Sequence, residues 1–287
     1  MGKCIIDKKF YSALDDAYKT VNVRDLTGAK IAEVDKRSDS FLSAFIECNA
    51  VDETGSNLSE MRNNVLHYYS IFEDEGIMTD VVSYLNGISY YVHEGDYAEF
   101  YVYANAVKGK TGVYKEPVQM VIPEELKYTS SIFAAHEMAH MLKERNPKEC
   151  EEFAYFGEVI PMLMELIIAY SYEYSNAQCV FKRRSDGIRS QSKSFKELYK
   201  YYKELSDLEE KKLYVTAMNE CGNYVNSFYY TLALFALYIA NKRFVLRLIS
   251  YVLKGRCTTS DVIRYISEYD IDRLYESGLE EFNYAMK

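Results

Sequence analysis

The chain contains 287 residues, and its 34 basic and 43 acidic side chains give a formal net charge of −9. This charge disfavours general binding to nucleic acid or to an anionic membrane. An apolar content of 48% excludes a disordered chain. Only 13 Gly and 4 Pro are present, which favours long helices over many short strands.

The first 87 residues are predicted to form a helical segment with loops. Helical patterns cover Phe41–Cys48 and Leu58–Phe72, with a break near Asp52–Gly55. The residues after Met1 contain no apolar run long enough for a signal peptide. The six cysteines show no paired spacing, which is typical of reduced thiols. We therefore expect a cytoplasmic protein.

Residues 88–123 are predicted to form a small β-sheet of two to four strands. Ile88–Val92 and Phe100–Tyr103 are rich in aromatic and β-branched residues, and Gly95-Asp96 supplies a turn between them. A second turn, Lys108–Gly112, precedes the strand pattern Val118–Ile122. We expect this last strand to offer an edge on which an extended peptide can pair.

Almost everything from Ser130 onward is predicted to be helical. Ser130 or Ser131 can cap a helix that runs to about Glu144. A second helix is predicted over 148–174, with a kink at Pro161. Further helices are predicted near 194–206, 208–241, 243–253 and 259–285. The apolar run 228–240 is too short to span a bilayer, and it indicates a buried helix.

The chain is thus predicted to be mainly α, with the small sheet at about 88–123 beside the helix that starts near Ser130. An N-terminal helical segment, 1–87, precedes the region 88–287, and the two are expected to form one compact unit.

The helix that begins near Ser130 carries the sequence His136-Glu137-Met138-Ala139-His140, an HExxH motif. Helical positions four apart face the same way, so His136 and His140 can bind one zinc ion. Glu137 lies next to that metal, where it can accept a proton from a water molecule. The alternative is a helix with two hydrogen-bonded core histidines and no metal.

A catalytic zinc ion needs a third protein ligand, and the sequence favours a carboxylate. His67 and His93 lie far upstream and are interpreted as structural or surface residues, and no histidine follows His140. The candidate carboxylates belong to the next predicted helix: Glu149, Glu151, Glu152, Glu158 and Glu165. The first three follow Pro147 so closely that the chain has little room to reverse.

Glu158 and Glu165 lie in the apolar run 153–170, where an unpaired carboxylate is costly. Seven residues correspond to two helical turns, so both side chains point the same way. We predict that Glu158 binds the metal and that Glu165 holds a zinc-binding histidine or a ligand water. For Glu165, a salt bridge to a lysine or arginine from another helix is the alternative.

The stretch 108–165 resembles the zinc core of the M3 metallopeptidases, which include thimet oligopeptidase and oligoendopeptidase F. The matching features are the turn Gly109–Tyr114, the strand 118–122, the helical HExxH, Phe156-Gly157-Glu158, and a further glutamate at Glu165. The resemblance implies a zincin-like fold with a glutamate zinc ligand, a gluzincin. Ala139 stands where the family has Gly, the gap before Glu158 is shorter, and the chain is much shorter than a typical member.

The resemblance also implies tyrosines that stabilise the oxyanion of the tetrahedral intermediate. The segment Gly222–Tyr230 resembles the family's tyrosine-rich segment, which makes Tyr224 the best match and Tyr229 or Tyr230 a second candidate. The alternative for each is ordinary helix packing, since the chain contains 29 tyrosines. The family's preceding histidine is absent. The nearby basic stretch Lys182-Arg183-Arg184 is interpreted as a solvated loop, or as a grip on a peptide carboxylate.

Taken together, these residues predict a zinc metallopeptidase that cleaves short or unfolded peptides and binds one Zn²⁺ per chain. No membrane or nucleic-acid partner is expected. Two alternatives remain open: a regulatory HExxH protease with one dedicated protein target, and a zinc-binding or peptide-binding protein without catalysis.

Overall fold

The computed structural model describes residues 55–93, 100–109, 112–127, 129–149, 156–172 and 230–267, with isolated residues between 180 and 228. The protein is mainly helical with a small mixed β-sheet, which confirms the predicted fold class. The predictions for Phe41–Cys48 and for residues beyond 267 lie outside the described residues.

Two helices precede the sheet. Helix α1, Leu58–Tyr69, begins with a capping box, in which Asn57 and Glu60 each accept a hydrogen bond from the other's backbone N–H. The 3₁₀ turn Ser70–Phe72 follows directly, so the predicted extent 58–72 is confirmed. Helix α2, Glu75–Gly87, buries Ile77, Val81 and Leu85 at helical spacing.

Three described strands form the sheet: β1, Ser89–His93; β2, Tyr101–Gly109; and β3, Gly112–Pro123. β3 lies in the middle, parallel to β1 and antiparallel to β2. The prediction of β3 as an edge strand is therefore wrong, because its apolar C-terminal half (Met120, Val121 and Ile122) is buried. Among the described strands, β2 and β1 lie at the edges, and they are not neighbours despite the turn predicted between them.

Helix α3, Ser130–Lys143, carries the HExxH motif and is buried along most of its length. Its N-cap residue is Thr129 rather than Ser130 or Ser131, because the Ser130 hydroxyl instead accepts a hydrogen bond from the Lys127 N–H at 2.9 Å. From α1, the Tyr69 hydroxyl donates to the Ala135 carbonyl at 2.9 Å. This contact fixes α1 against the middle of α3.

Helix α4, Val159–Ser171, packs against α3. The helix predicted over 148–174 is interrupted: residues 147–149 and 156 are helical, but Gly157 and Glu158 form a turn before α4. Every residue from Val159 to Ala169 is buried. The kink predicted at Pro161 is absent, because Pro161 is the third residue of the helix. Backbone N–H groups in the first turn of a helix have no carbonyl partner within the helix. Proline, which lacks an N–H, therefore loses no hydrogen bond at this position.

Two C-terminal helices complete the described core: α5, Lys242–Leu253, and α6, Thr259–Ser267. Residues 230–240 are also helical and largely buried. Buried Glu149 links the end of α3 to the start of α6, accepting from Lys143 Nζ at 3.2 Å and from the Thr259 N–H at 2.7 Å. Within the described parts of the chain, no helix is long and apolar enough to cross a membrane.

Asp74 provides a test of the packing between α2 and α5. Its Oδ1 accepts from the N–H groups of Gly76 and Ile77 at 3.0 and 3.1 Å, and its other oxygen pairs with Lys254. The hydrogen bond from Lys254 holds the pKa of Asp74 below its usual range. The stabilisation is therefore present above the unfolded pKa of about 3.9 and is lost as the pH falls through the folded pKa.

Asp74→Asn keeps an N-cap oxygen but removes the charge paired with Lys254, so we expect it to lower the free energy of unfolding by about 1 kcal/mol at pH 7. The difference from the wild type should shrink at pH 3, as measured by urea unfolding at both pH values. The exposed Glu124→Gln is the control, with an expected change within about 0.5 kcal/mol. A difference for Asp74→Asn that is the same at both pH values would contradict this role.

Candidate metal centre

Helix α3 brings the two motif histidines together on one face. His136 and His140 lie one turn apart, and their Nε2 atoms are 3.2 Å from each other. The ring centroids are 4.9 Å apart with an interplanar angle of 63°. His136 is buried, and His140 is partly exposed to a cleft. Both rings therefore present the same nitrogen to the same point in space.

Glu158 completes a three-residue group. It is the N-cap residue of α4, and its two oxygens lie 3.3 Å from His136 Nε2 and 3.3 Å from His140 Nε2. Ligands that surround a tetrahedral zinc ion at 2.0–2.1 Å lie about 3.3 Å from one another. The spacing of these groups fits that geometry. Within the described residues, His136, His140 and Glu158 are the group of three whose ligand atoms could hold a metal ion.

A second carboxylate faces the far nitrogen of each histidine. Glu165 Oε1 lies 2.6 Å from His136 Nδ1, and Glu144 Oε1 lies 3.4 Å from His140 Nδ1. A carboxylate accepts a hydrogen bond, so we assign the imidazole proton of His136 to Nδ1, and the negative charge of Glu144 favours the same tautomer of His140. The two Nε2 atoms then face each other and the Glu158 carboxylate. This arrangement favours a proton or a metal cation among them.

The surrounding charges favour a proton at this place when no metal is bound. Burial lowers the pKa of His140, but the negative charges of Glu158 and Glu144 outweigh burial and raise this pKa to about 10. Burial likewise opposes ionisation of Glu165, yet the charges of Arg184 and His136 hold its pKa at about 2. The electrostatic field of the site thus favours a cation at the Nε2 atoms.

Glu137 lies beside the three ligand residues without belonging to them. Its Oε1 is 4.0 Å from His136 Nε2, and its side chain lines the cleft. Burial raises the pKa of its carboxyl group. The position is suited to accepting a proton from a water molecule bound next to the metal-ligand atoms.

Arg184 joins the site from the segment that the sequence suggested was a solvated loop. Its guanidinium forms a bidentate salt bridge with Glu165, in which Nε donates to Oε2 at 2.6 Å. Its NH1 donates to the Tyr224 hydroxyl at 2.5 Å. Glu165 therefore makes both the salt bridge that was the alternative prediction for it and a contact with His136, which is predicted to bind zinc.

Of the three candidate tyrosines, the structure brings Tyr224 to the site. Tyr224 lines the cleft, whereas the ring of Tyr230 packs edge-on against Phe156 at 5.5 Å and is not among the described residues that line it. Tyr229, Glu151 and Glu152 lie outside the described residues. His67 packs edge-on against Tyr172, and Glu149 belongs to the buried link with α6.

The cleft over the site has a volume of about 720 Å³. One wall is formed by the five consecutive residues 100–104, the last four of which belong to β2, and the other by α3 with Phe133, His136 and His140. Side chains on a strand alternate between the two faces of the sheet, so five consecutive lining residues mean that the backbone edge of β2 borders the cleft. The cleft therefore has room for a ligand along β2, next to His136, His140 and Glu158.

Two residues of the site were missed by the sequence analysis. Glu144 follows His140 by four positions on the same helix, a spacing that could have identified it as a partner of that ring. Arg184 had no comparable signal, because it comes from a segment distant in the chain. Its neighbours 182 and 183 lie outside the described residues.

Comparison with known proteins gives no match: no protein-family model, no curated protein and no solved structure is significantly similar to this chain.

Glu144→Gln tests the contribution of the partner carboxylates. The amide removes the charge that holds the Nδ1 proton of His140, and such partners typically change metal affinity by about 10- to 100-fold. We expect a weakening in that range, measured by competition for zinc with a chromogenic chelator. The exposed Glu125→Gln serves as the control and should bind zinc like the wild type. Equal affinity of both variants would contradict the role of Glu144.

Proposed function

We propose that the protein is a zinc metallopeptidase in which His136, His140 and Glu158 hold one zinc ion. The observation that carries this proposal is the convergence of the candidate ligand atoms: the two Nε2 atoms are 3.2 Å apart, and each lies 3.3 Å from a different oxygen of Glu158. Two imidazoles and one carboxylate are a typical ligand set of a catalytic zinc site, and the fourth position stays open. A zinc ion in such a site supplies Lewis acidity, which makes water a nucleophile near neutral pH.

The residues around His136, His140 and Glu158 have complementary roles in hydrolysis of a peptide bond. Glu137 accepts the proton of the attacking water and then donates it to the leaving amine. Tyr224 donates a hydrogen bond to the oxygen on which negative charge grows. These roles agree with the resemblance of 108–165 to the gluzincin-type M3 metallopeptidases.

The cleft supports a peptide as substrate. An extended peptide gains affinity by pairing its backbone with an exposed strand edge, and β2, which is an edge strand among the described strands, borders the cleft instead of β3. A cleft of this size accepts a short or unfolded segment rather than a folded protein. The scattered cysteines favour action in a reducing compartment such as the cytoplasm.

Incubation of the zinc-loaded protein with a mixed peptide library, read by mass spectrometry, tests this function. We expect cleavage that stops when zinc is removed with a chelator and resumes when zinc is restored. Zinc binding without cleavage of any library peptide would overturn the proposal that the protein is a general peptidase. It would favour a protease with one dedicated target, or a binding protein without catalysis.

A further inference from the structure

Arg184 contacts both Glu165, which faces His136, and Tyr224 of the cleft. Its guanidinium forms the bidentate salt bridge with Glu165, which in turn accepts from His136 Nδ1 at 2.6 Å. The remaining terminal nitrogen, NH1, donates to the Tyr224 hydroxyl. Arg184 is largely buried, with 15% of its side chain exposed, so these contacts are made out of bulk water. The chain His136–Glu165–Arg184–Tyr224 therefore links a candidate metal ligand to a tyrosine of the cleft.

The hydrogen bond from Arg184 determines the direction in which the Tyr224 hydroxyl can donate its own hydrogen. A guanidinium has only donors, so the phenolic oxygen must accept and its own hydrogen must point elsewhere. Both side chains line the cleft. A hydrogen directed away from Arg184 is thus available to an acceptor in the cleft. The hydrogen bond accepted from the positive Arg184 also polarises the Tyr224 hydroxyl as a donor, since hydrogen bonds in a chain strengthen one another.

The fork geometry of arginine matters for this arrangement. Glu165 has no exposed surface, and a buried carboxylate is retained in its charged form only when it is paired. Arg184 provides two donors to Glu165 and a third to Tyr224, and it holds all three in one plane. A lysine at this position would keep the charge without the three directed donors.

We propose that Arg184 is a positioning residue that aims the Tyr224 hydroxyl at a negatively charged oxygen in the cleft. This inference rests on the proposed function, because it assigns Arg184 to the stabilisation of the oxyanion through Tyr224. It predicts that the two residues act as one unit and that their substitutions are not independent.

The test is a double-mutant cycle with Arg184→Lys, Tyr224→Phe and the double variant. The readout is the affinity of each zinc-loaded protein for acetohydroxamate, a small zinc-binding anion that needs no peptide cleavage. We expect each single variant to bind acetohydroxamate about tenfold more weakly, which is the range for a hydrogen bond to a charged group. The double variant should bind no more weakly than either single variant. The exposed Lys193→Gln, from the same segment, should bind it like the wild type.

A second readout separates positioning from structural support. Zinc affinity without acetohydroxamate should be unchanged in Tyr224→Phe, since Tyr224 is not a ligand. Losses that multiply to about 100-fold in the double variant would overturn the inference, and so would wild-type affinity for acetohydroxamate in Arg184→Lys. If Arg184→Lys does not fold, Tyr224→Phe still tests the inference. Unchanged affinity of Tyr224→Phe for acetohydroxamate is sufficient to overturn it.

The two failures are distinguishable. A wild-type protein that binds zinc and acetohydroxamate with the expected coupling, but cleaves no library peptide, contradicts the proposed peptidase and supports the role of Arg184. Peptide cleavage together with independent effects of the two substitutions contradicts the role of Arg184 and supports the peptidase.

Discussion

His140→Ala is expected to weaken zinc binding by about 10²- to 10³-fold. Zinc bound by four protein ligands is held with about 10–16 kcal/mol, or about 2.5–4 kcal/mol per ligand, and each 1.4 kcal/mol corresponds to tenfold. His140 supplies one of the three ligand atoms, and its Nε2 lies 3.2 Å from that of His136 and 3.3 Å from Glu158. Alanine leaves a two-ligand site that cannot compete with a moderate chelator.

His67→Ala is the matched control for this prediction. His67 is exposed at the end of α1 and packs against Tyr172, away from the three ligand residues. Titration of each metal-free protein with zinc in the presence of a competing chelator measures the affinities. Unchanged zinc affinity in His140→Ala, or an equal loss in His67→Ala, would contradict the assigned site.

Glu137→Gln is expected to lower kcat for peptide cleavage by at least about 10² to 10⁴, the usual contribution of a general base. Glutamine has nearly the same shape as glutamate but cannot accept the proton of the attacking water. Because Glu137 is not one of the three ligand residues, zinc affinity should stay close to that of the wild type. The prediction therefore separates the chemical step from metal binding in one variant.

Single-turnover cleavage of a library peptide identified with the wild type measures this effect. Glu125→Gln, an exposed glutamate before α3, is the control and should leave kcat unchanged. If Glu137→Gln retains wild-type kcat, Glu137 is not the base. If it loses zinc together with activity, its role is to support the metal site instead.

The sequence is sufficient to predict the parts of the site that depend on helical periodicity. The four-residue spacing of His136 and His140 predicts one shared face, and the rings indeed meet at 3.2 Å. The cost of burying a carboxylate singles out Glu158 and Glu165, and both lie against His136 in the structure, although only Glu165 is fully buried. These inferences work because a helix fixes the direction of its side chains locally.

The remaining features depend on contacts between distant segments. Arg184 reaches Glu165 across nineteen positions and Tyr224 across forty, and no local pattern encodes either distance. The central position of β3 follows from its parallel pairing with β1, which requires a long connection that propensity does not specify. Pro161 could not be placed in the first turn without knowing where α4 begins.

X-ray absorption at the zinc edge of the loaded protein tests the central claim most directly, because it reports the ligand atoms themselves. Two imidazole nitrogens and carboxylate or water oxygen at about 2.0–2.2 Å are expected, with one zinc per chain. The six cysteines offer a clear alternative, since sulfur ligands lie at about 2.3 Å. A spectrum dominated by sulfur, or a protein that takes up no zinc when it is supplied in excess, would contradict the site at His136, His140 and Glu158.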